Sequence, residues 1–343
     1  MLPSVAVVGA TGAVGEIMRQ VLDERSFPFR SIKFLASERS AGKPLTFKGK
    51  SYTVEPIRPE AFAGVEVVLS STPASVSREY SPVAARAGAV VIDNSSAWRM
   101  DPDVPLVVPE VNAAALDHTP KGIVANPNCT TMVAMPALKA LHDATGLRRV
   151  IVSTYQSVSG AGLKGVDELA EQVAKVAEQS PALTFDGAAV EFPDPTVFPG
   201  PIAFNVLPHA GDFVDDETNE EKKFRDESRK ILGIPDLPVS CTCVRVPVYT
   251  GHSLSLHVEF ERPLLPDEAR VILSTAPGVA LADVPTPLLA AGSDQCYVGR
   301  IRRDPGAETG LALFISGDNL RKGAALNAVQ IAEALFERGR LTA

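Results

Sequence analysis

The sequence is poor in residues that cross-link or ligate. Its 343 residues include four cysteines, Cys129, Cys241, Cys243 and Cys296, spaced neither as a disulfide framework nor as a paired zinc motif, which points to a reducing compartment. The five histidines show no ligand spacing with one another or with the cysteines, so no structural or catalytic metal is expected. No apolar run is long enough to span a bilayer, and Met1-Leu2-Pro3-Ser4 leads straight into Val5-Ala6-Val7-Val8 without a basic or cleavable apolar segment. A cytoplasmic protein outside the membrane is therefore expected. An excess of basic charge is also missing. The net charge of −8 argues against nucleic acid or an anionic membrane surface as partner, and leaves small anions as ligands of a local cationic pocket. There are no internal repeats and no low-complexity tract.

The length suits two α/β-type domains, each able to bury a core without disulfides. The apolar run 5–8, the glycine turn Gly9-Ala10-Thr11-Gly12-Ala13-Val14-Gly15 and the spacing of Ile17, Met18, Val21 and Leu22 predict strand, turn and helix. Such a turn lets the backbone approach a pyrophosphate that the helix start attracts. The spacing is Gly-x-x-Gly-x-x-Gly rather than the Gly-x-Gly-x-x-Gly fingerprint, and a plain tight turn would also need glycine. A strand over 31–36 ends in Ser37-Glu38-Arg39-Ser40, where an NAD enzyme usually places a carboxylate on the ribose. Arginine between serines suits a 2′-phosphate, with Glu38 as the contrary feature and a solvated polar loop as the plain alternative. Strands over 65–71 and 89–93 end in loops carrying Thr72, Asn94 and Arg99; by position these are cofactor and substrate candidates, although Arg99 read alone is a surface arginine.

Cys129 follows the extended run 122–125 and precedes the helical run 132–144. A thiol at a helix start is pushed toward thiolate by unpaired N–H groups and the helix dipole; the plain alternative is one more small buried hydrophobe. Beyond it, segments 148–155, 203–207, 241–249 and 253–260 alternate apolar and polar residues, as half-buried antiparallel strands do. Cys241 and Cys243 alternate along the third of these and read as core. The spacing over 166–176 predicts a helix, and the proline-rich 181–208 a loop or partner-facing arm. Thr218-Asn219-Glu220-Glu221 resembles a capping box opening a helix to about Leu232, with Glu220 and Lys223 on one face, where an ordinary ion pair is the plain reading. A strand over 311–316 and an amphipathic helix over 324–337, capped near Asp318 or Asn319, close the chain.

Five motifs in order, Gly9-Ala-Thr-Gly-Ala-Val-Gly15, Asn126-Pro-Asn-Cys-Thr-Thr131, Gln156-Ser-Val-Ser-Gly-Ala-Gly162, Arg245-Val-Pro-Val-Tyr-Thr-Gly-His252 and Gly317-Asp-Asn-Leu-Arg-Lys-Gly-Ala324, closely resemble the aspartate-semialdehyde dehydrogenase family over nearly the whole chain. The resemblance implies an α/β protein with a Rossmann-type NADP-binding domain over 1–128, rejoined by a C-terminal helix over 320–343. It also implies an α+β catalytic and dimerisation domain over 129–319 with a mostly antiparallel sheet, like that of glyceraldehyde-3-phosphate dehydrogenase. The implied reaction is NADPH-dependent reduction of L-aspartyl-4-phosphate to L-aspartate-4-semialdehyde and phosphate through a cysteine thioester, in lysine, methionine and threonine biosynthesis. By the same resemblance Cys129 is the nucleophile, Gln156 a positioning amide, Arg245 the clamp for the α-carboxylate and His252 the acid/base. Arg99 and Lys223 match phosphate-holding positions and Glu220 the substrate-amine position, with a second register through Glu221 and Lys222. Asn94 joins the substrate candidates.

For NADP, the glycine turn and the family pattern give Gly9, Thr11, Gly12, Ala13 and Val14 at the pyrophosphate and Ser37, Arg39 and Ser40 at the 2′-phosphate. Thr72, Ser159, Gly160 and Asn319 complete the set. A homodimer is implied, with a tetramer left open. The nearest rival is N-acetyl-γ-glutamyl-phosphate reductase, whose acetylated substrate nitrogen offers no cation for Glu220. A non-catalytic nucleotide-binding regulator is the rival of another class.

Overall fold

A computed structural model describes residues 2–341; positions 1, 342 and 343, which the expected domain limits included, lie outside the described residues. Two compact units are present, the first made of Met1–Lys139, Asp226–Asp236 and Leu320–Ala343, the second of Ala140–Arg225 and Leu237–Asn319. The division thus falls inside two helices instead of at 128/129. The first half of one of them explains why: Met132, Val133, Ala134, Met135, Ala137 and Leu138 are all fully buried, so this stretch is a core helix and not a domain linker.

The first unit holds β1 (Ser4–Val8), α1 (Ala13–Glu24), β2 (Ser31–Ala36), β3 (Pro44–Phe47), β4 (Lys50–Thr53), β5 (Glu55–Pro56), β6 (Val67–Ser70), α2 (Ala74–Arg86), β7 (Val90–Asp93), α3 (Pro109–Asn112) and β8 (Ile123–Ala125). Six of the strands form one sheet in the order β5-β2-β1-β6-β7-β8, parallel throughout, while β3 and β4 make an antiparallel hairpin. Every residue of β1 is buried, as a central parallel strand covered on both faces requires. Met18, Val21 and Leu22 give α1 its buried stripe. The helix α4 (Cys129–Thr145) starts in this unit.

The second unit contains β9 (Leu147–Gln156), α5 (Leu163–Val176), β10 (Phe213–Val214), β11 (Glu217–Thr218), α6 (Asn219–Leu232), β12 (Val239–Arg245), β13 (His252–Phe260), α7 (Pro266–Ser274), β14 (Val279–Leu281), α8 (Pro287–Ala290), β15 (Cys296–Arg303) and β16 (Gly310–Gly317); α6 runs on into the first unit. Its sheet order is β12-β9-β13-β16-β15-β14. The three inner pairings are antiparallel and the two outer ones parallel. The sheet is mixed.

Three sequence expectations are corrected here. The segment 241–249 is not an antiparallel strand: β12 spans Val239–Arg245, lies parallel to β9 and stops two residues before Pro247, which has no N–H for a ladder. No strand forms over 203–207; Phe204 takes φ 55° and only Leu207 bridges, to Arg245. The regular part of the last helix begins at Leu326, not at 324. Asp318 Oδ2 accepts from Gly292 N–H at 2.7 Å, and a π-turn over Arg321–Ala325 precedes α9 (Leu326–Glu337). Within α9 the expected amphipathic pattern is present: Leu326, Val329, Ile331, Ala332 and Leu335 are buried, while Gln330, Glu333 and Glu337 share the opposite stripe. The capping box is formed as well: Thr218 N–H meets Glu221 Oε2 at 2.7 Å, and Glu221 N–H meets Thr218 Oγ1 at 3.4 Å.

The proline-rich segment is ordered by side chains instead of a ladder, as backbone groups away from regular structure must be. Glu168 Oε2, on α5, accepts from Thr196 N–H (2.8 Å), Thr196 Oγ1 (2.9 Å) and Val197 N–H (2.7 Å). One turn on, Gln172 Oε1 accepts from Ile202 N–H (2.8 Å) and Ala203 N–H (3.0 Å).

Candidate active site

The strand order of the first unit, taken along the six sheet strands in sequence, reverses between β1 and β6, and ligands of such sheets bind at the carboxyl ends beside that reversal. Gly9 is at φ +81°, and a Cβ there would lie 2.2 Å from Ser71 O. At Gly15 a Cβ would come within 2.3 Å of Gly9 O. Both glycines are required by the chain's own packing, whatever else their backbone meets. Gly12 differs: its Cβ would meet nothing closer than 3.5 Å, it is exposed, and it begins α1 with no side-chain cap. The absent side chain leaves the helix start open to a ligand, which is the cradle a pyrophosphate needs. Thr11 is exposed, Ala13 and Val14 half-buried. In the neighbouring loop Ser37 and Arg39 are exposed and Ser40 is buried, with Thr11 Oγ1 bonded to Ser40 Oγ at 3.4 Å. Glu38, the feature opposed to a 2′-phosphate, is paired with Arg58 at 2.9 Å. Arg58 lies 20 residues away, so no local pattern announced it. Thr72 is half-buried at the end of β6, 3.3 Å from Ser70 Oγ.

Cys129 is the first residue of α4 and half-buried. Asn128 caps the helix: its Oδ1 accepts from Thr130 N–H at 3.0 Å and Thr130 Oγ1 at 2.6 Å, and its carbonyl from Met132 N–H at 2.9 Å. The turn ahead is tied down as well. Asn126 Nδ2 donates to Asn94 Oδ1 and to Ala324 O, and its Oδ1 accepts from Asn327 Nδ2. Arg99 is 8 % exposed, which removes the surface-arginine reading. Its Nε donates to Asn126 O (3.0 Å), Nη2 to Asn94 O (2.7 Å) and Nη1 to Glu227 Oε1 (3.0 Å). A guanidinium has five N–H donors, so two remain beyond these three. Asn94 Nδ2 is buried and bonds to no protein atom, which suits it to a ligand.

In the second unit, parallel pairing sets Gln156 and Arg245 side by side at the ends of β9 and β12. Gln156 Oε1 accepts from Thr154 Oγ1 at 3.1 Å and its Nε2 donates to Glu220 Oε2 at 3.3 Å. Glu220 Oε1 is 2.6 Å from Lys223 Nζ. Arg245 is buried, with Nη1 donating to Ser157 O at 2.8 Å. Gly160 makes room: a Cβ there would sit 2.8 Å from Arg245 Nη1 and 3.1 Å from His252 Cε1.

His252 is fully buried, and its Nδ1 accepts from the Ser157 N–H at 3.1 Å. An acceptor nitrogen carries no hydrogen, so the neutral ring has its proton on Nε2. Asn319 Oδ1 accepts from Ser157 Oγ (3.0 Å) and Gly251 N–H (2.8 Å), while its Nδ2 donates to Ser159 Oγ (2.9 Å). Burial, and then the charge of Arg245, push the imidazole down to about 3, with Glu220 opposing in part. The ring is therefore neutral at working pH. Ser157, which the sequence shows only as part of the Gln156–Gly162 motif, joins Arg245, His252 and Asn319. Its backbone N–H and carbonyl meet His252 and Arg245, which no residue type signals, and its hydroxyl meets Asn319.

The first unit thus gathers Cys129, Arg99 and Asn94 with the glycine turn and its neighbouring loop, and the second gathers Gln156, Arg245, His252, Glu220, Lys223, Ser159, Gly160 and Asn319. Among the described residues no group of His, Cys, Asp and Glu could hold a metal ion. A doubly wound sheet with an open glycine turn, joined in one chain to a mixed-sheet unit, defines a two-domain, dinucleotide-dependent dehydrogenase. The family profiles described as semialdehyde dehydrogenase NAD binding domain and semialdehyde dehydrogenase dimerisation domain match residues 4–119 and 138–322. Aspartate-semialdehyde dehydrogenase of Corynebacterium glutamicum is 55 % identical over 344 residues, 98 % of this chain and 100 % of that protein. Aspartate semialdehyde dehydrogenase II of Vibrio cholerae, solved in complex with ASA, is 44 % identical with a TM-score of 0.92, covering 98 % of this chain and 99 % of that one. The Candida albicans enzyme, solved with NADP, is 25 % identical with a TM-score of 0.77, covering 99 % of this chain and 100 % of that one. The chain belongs to the aspartate-semialdehyde dehydrogenase family.

Proposed function

We propose that this enzyme reduces L-aspartyl-4-phosphate to L-aspartate-4-semialdehyde and phosphate with NADPH, the step that feeds lysine, methionine and threonine synthesis. The observation that carries this reading is Cys129 as first residue of a helix capped by Asn128, in a chain of this family. The cap and the helix start favour the thiolate. Its sulfur forms a bond to the acyl carbon, the carbon–oxygen bond to phosphate breaks, and a thioester results. Gly9, Thr11, Gly12, Ala13, Val14, Ser37, Arg39, Ser40, Thr72, Ser159, Gly160 and Asn319 would hold NADPH, which when bound would supply the hydride for the thioester carbon. Collapse of the tetrahedral species releases the aldehyde and restores the thiolate.

Arg245 takes the α-carboxylate through two parallel bonds, and Gln156 orients the substrate. His252, the acid/base of the family, is narrowed by the Ser157 N–H to a neutral Nε2–H donor that serves the oxygen on which negative charge develops. Glu220 and Lys223 form the ordinary ion pair in the free enzyme. A substrate ammonium would take the place of Lys223 on Glu220; Lys223, and in the first unit Arg99 and Asn94, are the proposed phosphate-binding groups.

The dimerisation profile matching 138–322 supports at least a dimer. No helix among the described residues is long and apolar enough to cross a membrane, and a cytoplasmic location is part of the proposal.

A phosphate-dependent NADP reduction assay run in parallel with aspartate semialdehyde and N-acetylglutamate semialdehyde tests the assignment; activity on the second substrate alone overturns it. The cofactor has its own test. Arg39→Ala raises KM for NADPH by one to two orders of magnitude and leaves that for NADH nearly unchanged, because one charge-assisted contact contributes roughly 1.5–3 kcal/mol. Equal losses with both cofactors would show that the loop does not read the 2′-phosphate.

A further inference from the structure

Glu227 belongs to neither the phosphate-holding nor the amine-holding set, yet it is 1 % exposed and lies on the part of α6 that belongs to the first unit. Its two carboxylate oxygens have different tasks. Oε1 accepts from Arg99 Nη1 at 3.0 Å, and Oε2 accepts from the backbone N–H of Asn128 at 2.6 Å. Asn128 is the residue whose side chain caps the helix that Cys129 begins. One turn along α6, Lys230 Nζ donates to the carbonyls of Arg99, Asp101 and Val104 at 2.8, 2.8 and 2.9 Å, which clamps the loop carrying Arg99 from the same side. A charge this deeply buried is tolerated only when paired and fully bonded. The carboxylate therefore fixes its two partners relative to each other.

We propose that Glu227 is a positioning residue for the thiol step: its carboxylate sets the capping residue of the Cys129 helix and the guanidinium of Arg99 in one frame, and its charge restrains the pull of Arg99 on the thiolate. This rests on Cys129 being the nucleophile and Arg99 a phosphate group. Glutamine cannot replace it. An amide offers one oxygen to two facing donors and turns its NH2 against the other. Aspartate keeps the charge but is one methylene too short to meet both.

The test compares Glu227→Gln and Glu227→Asp with the wild-type enzyme by kcat, KM for phosphate and the pH dependence of Cys129 alkylation by iodoacetamide. Both variants should lose on the order of 10- to 100-fold in kcat. They should differ in the thiol: with the charge removed, the alkylation midpoint of Glu227→Gln moves to lower pH and KM for phosphate does not rise, whereas Glu227→Asp keeps the wild-type midpoint. A purely structural role predicts a lower Tm with an unmoved midpoint in both variants, and that result overturns the proposal. Should neither variant fold, hydrogen exchange of the Asn128 amide in the wild-type enzyme decides: protection as strong as that of the α4 core is required, and fast exchange refutes the proposal. If Cys129 is not the residue alkylated when activity is lost, the nucleophile assignment fails instead, which peptide mapping separates from a failure at Glu227.

Discussion

Cys129→Ala is expected to abolish turnover, by about 10⁴-fold or more, while NADPH binding stays within about twofold of wild type, because only the covalent route to the thioester is lost. Fluorescence titration of the dinucleotide and the semialdehyde assay measure the two quantities on one preparation. Iodoacetamide gives the complementary result in the unaltered enzyme. Cys243 and Cys296 are buried and Cys241 is half-buried; its hydrogen bond to Cys243, then burial, push the Cys241 thiol up. None of the three stands at a helix start, so Cys129 should be alkylated first, with activity falling in step. A Cys129→Ala variant that kept more than about a hundredth of wild-type activity would remove the covalent mechanism.

Arg245→Lys carries the second large effect. The guanidinium donates to Ser157 O at 2.8 Å and lies 5.9 Å from the Phe198 ring centroid, so its orientation is fixed before substrate arrives. Lysine keeps the charge and loses both the fork and the contact to Ser157. The same Ser157 sets the His252 tautomer through its N–H, which couples the carboxylate clamp to the proton donor. Because a misplacement of about 1 Å can lower rate on the order of 10²-fold, kcat and kcat/KM should both fall, with NADP affinity and Cys129 labelling unchanged. A rise in KM alone would make Arg245 a uniform binding group. Full activity would move the clamp elsewhere, with Arg99 the next residue to examine.

The parts legible in the sequence were those fixed by neighbours along the chain. The glycine turn between β1 and α1, the thiol opening α4 and the Thr218–Glu221 capping box each depend on a few consecutive residues, and a period or a cap reveals them. Orientation and partnership across long separations were not legible. Alternating residues 241–245 look the same whether β12 runs parallel or antiparallel to β9. Arg99 reads as a surface residue until Glu227, 128 positions later, arrives beside it. Glu38 argues against a phosphate when read alone, and its ion pair with Arg58, 20 positions on, is invisible to any local pattern. The chain folds α4 and α6 across the line between its units, so no break in composition could mark that boundary.

The proline-rich segment held by Glu168 and Gln172 bears on local opening of the chain. Its backbone N–H groups at 196, 197, 202 and 203 have their acceptors on two side chains, one turn apart on α5. Those acceptors stand in register only once α5 is helical, so this stretch of the segment depends on that helix for its backbone partners. Unwinding that one stretch of α5 would release all four groups together, which couples local opening of the helix to that of residues 196–203.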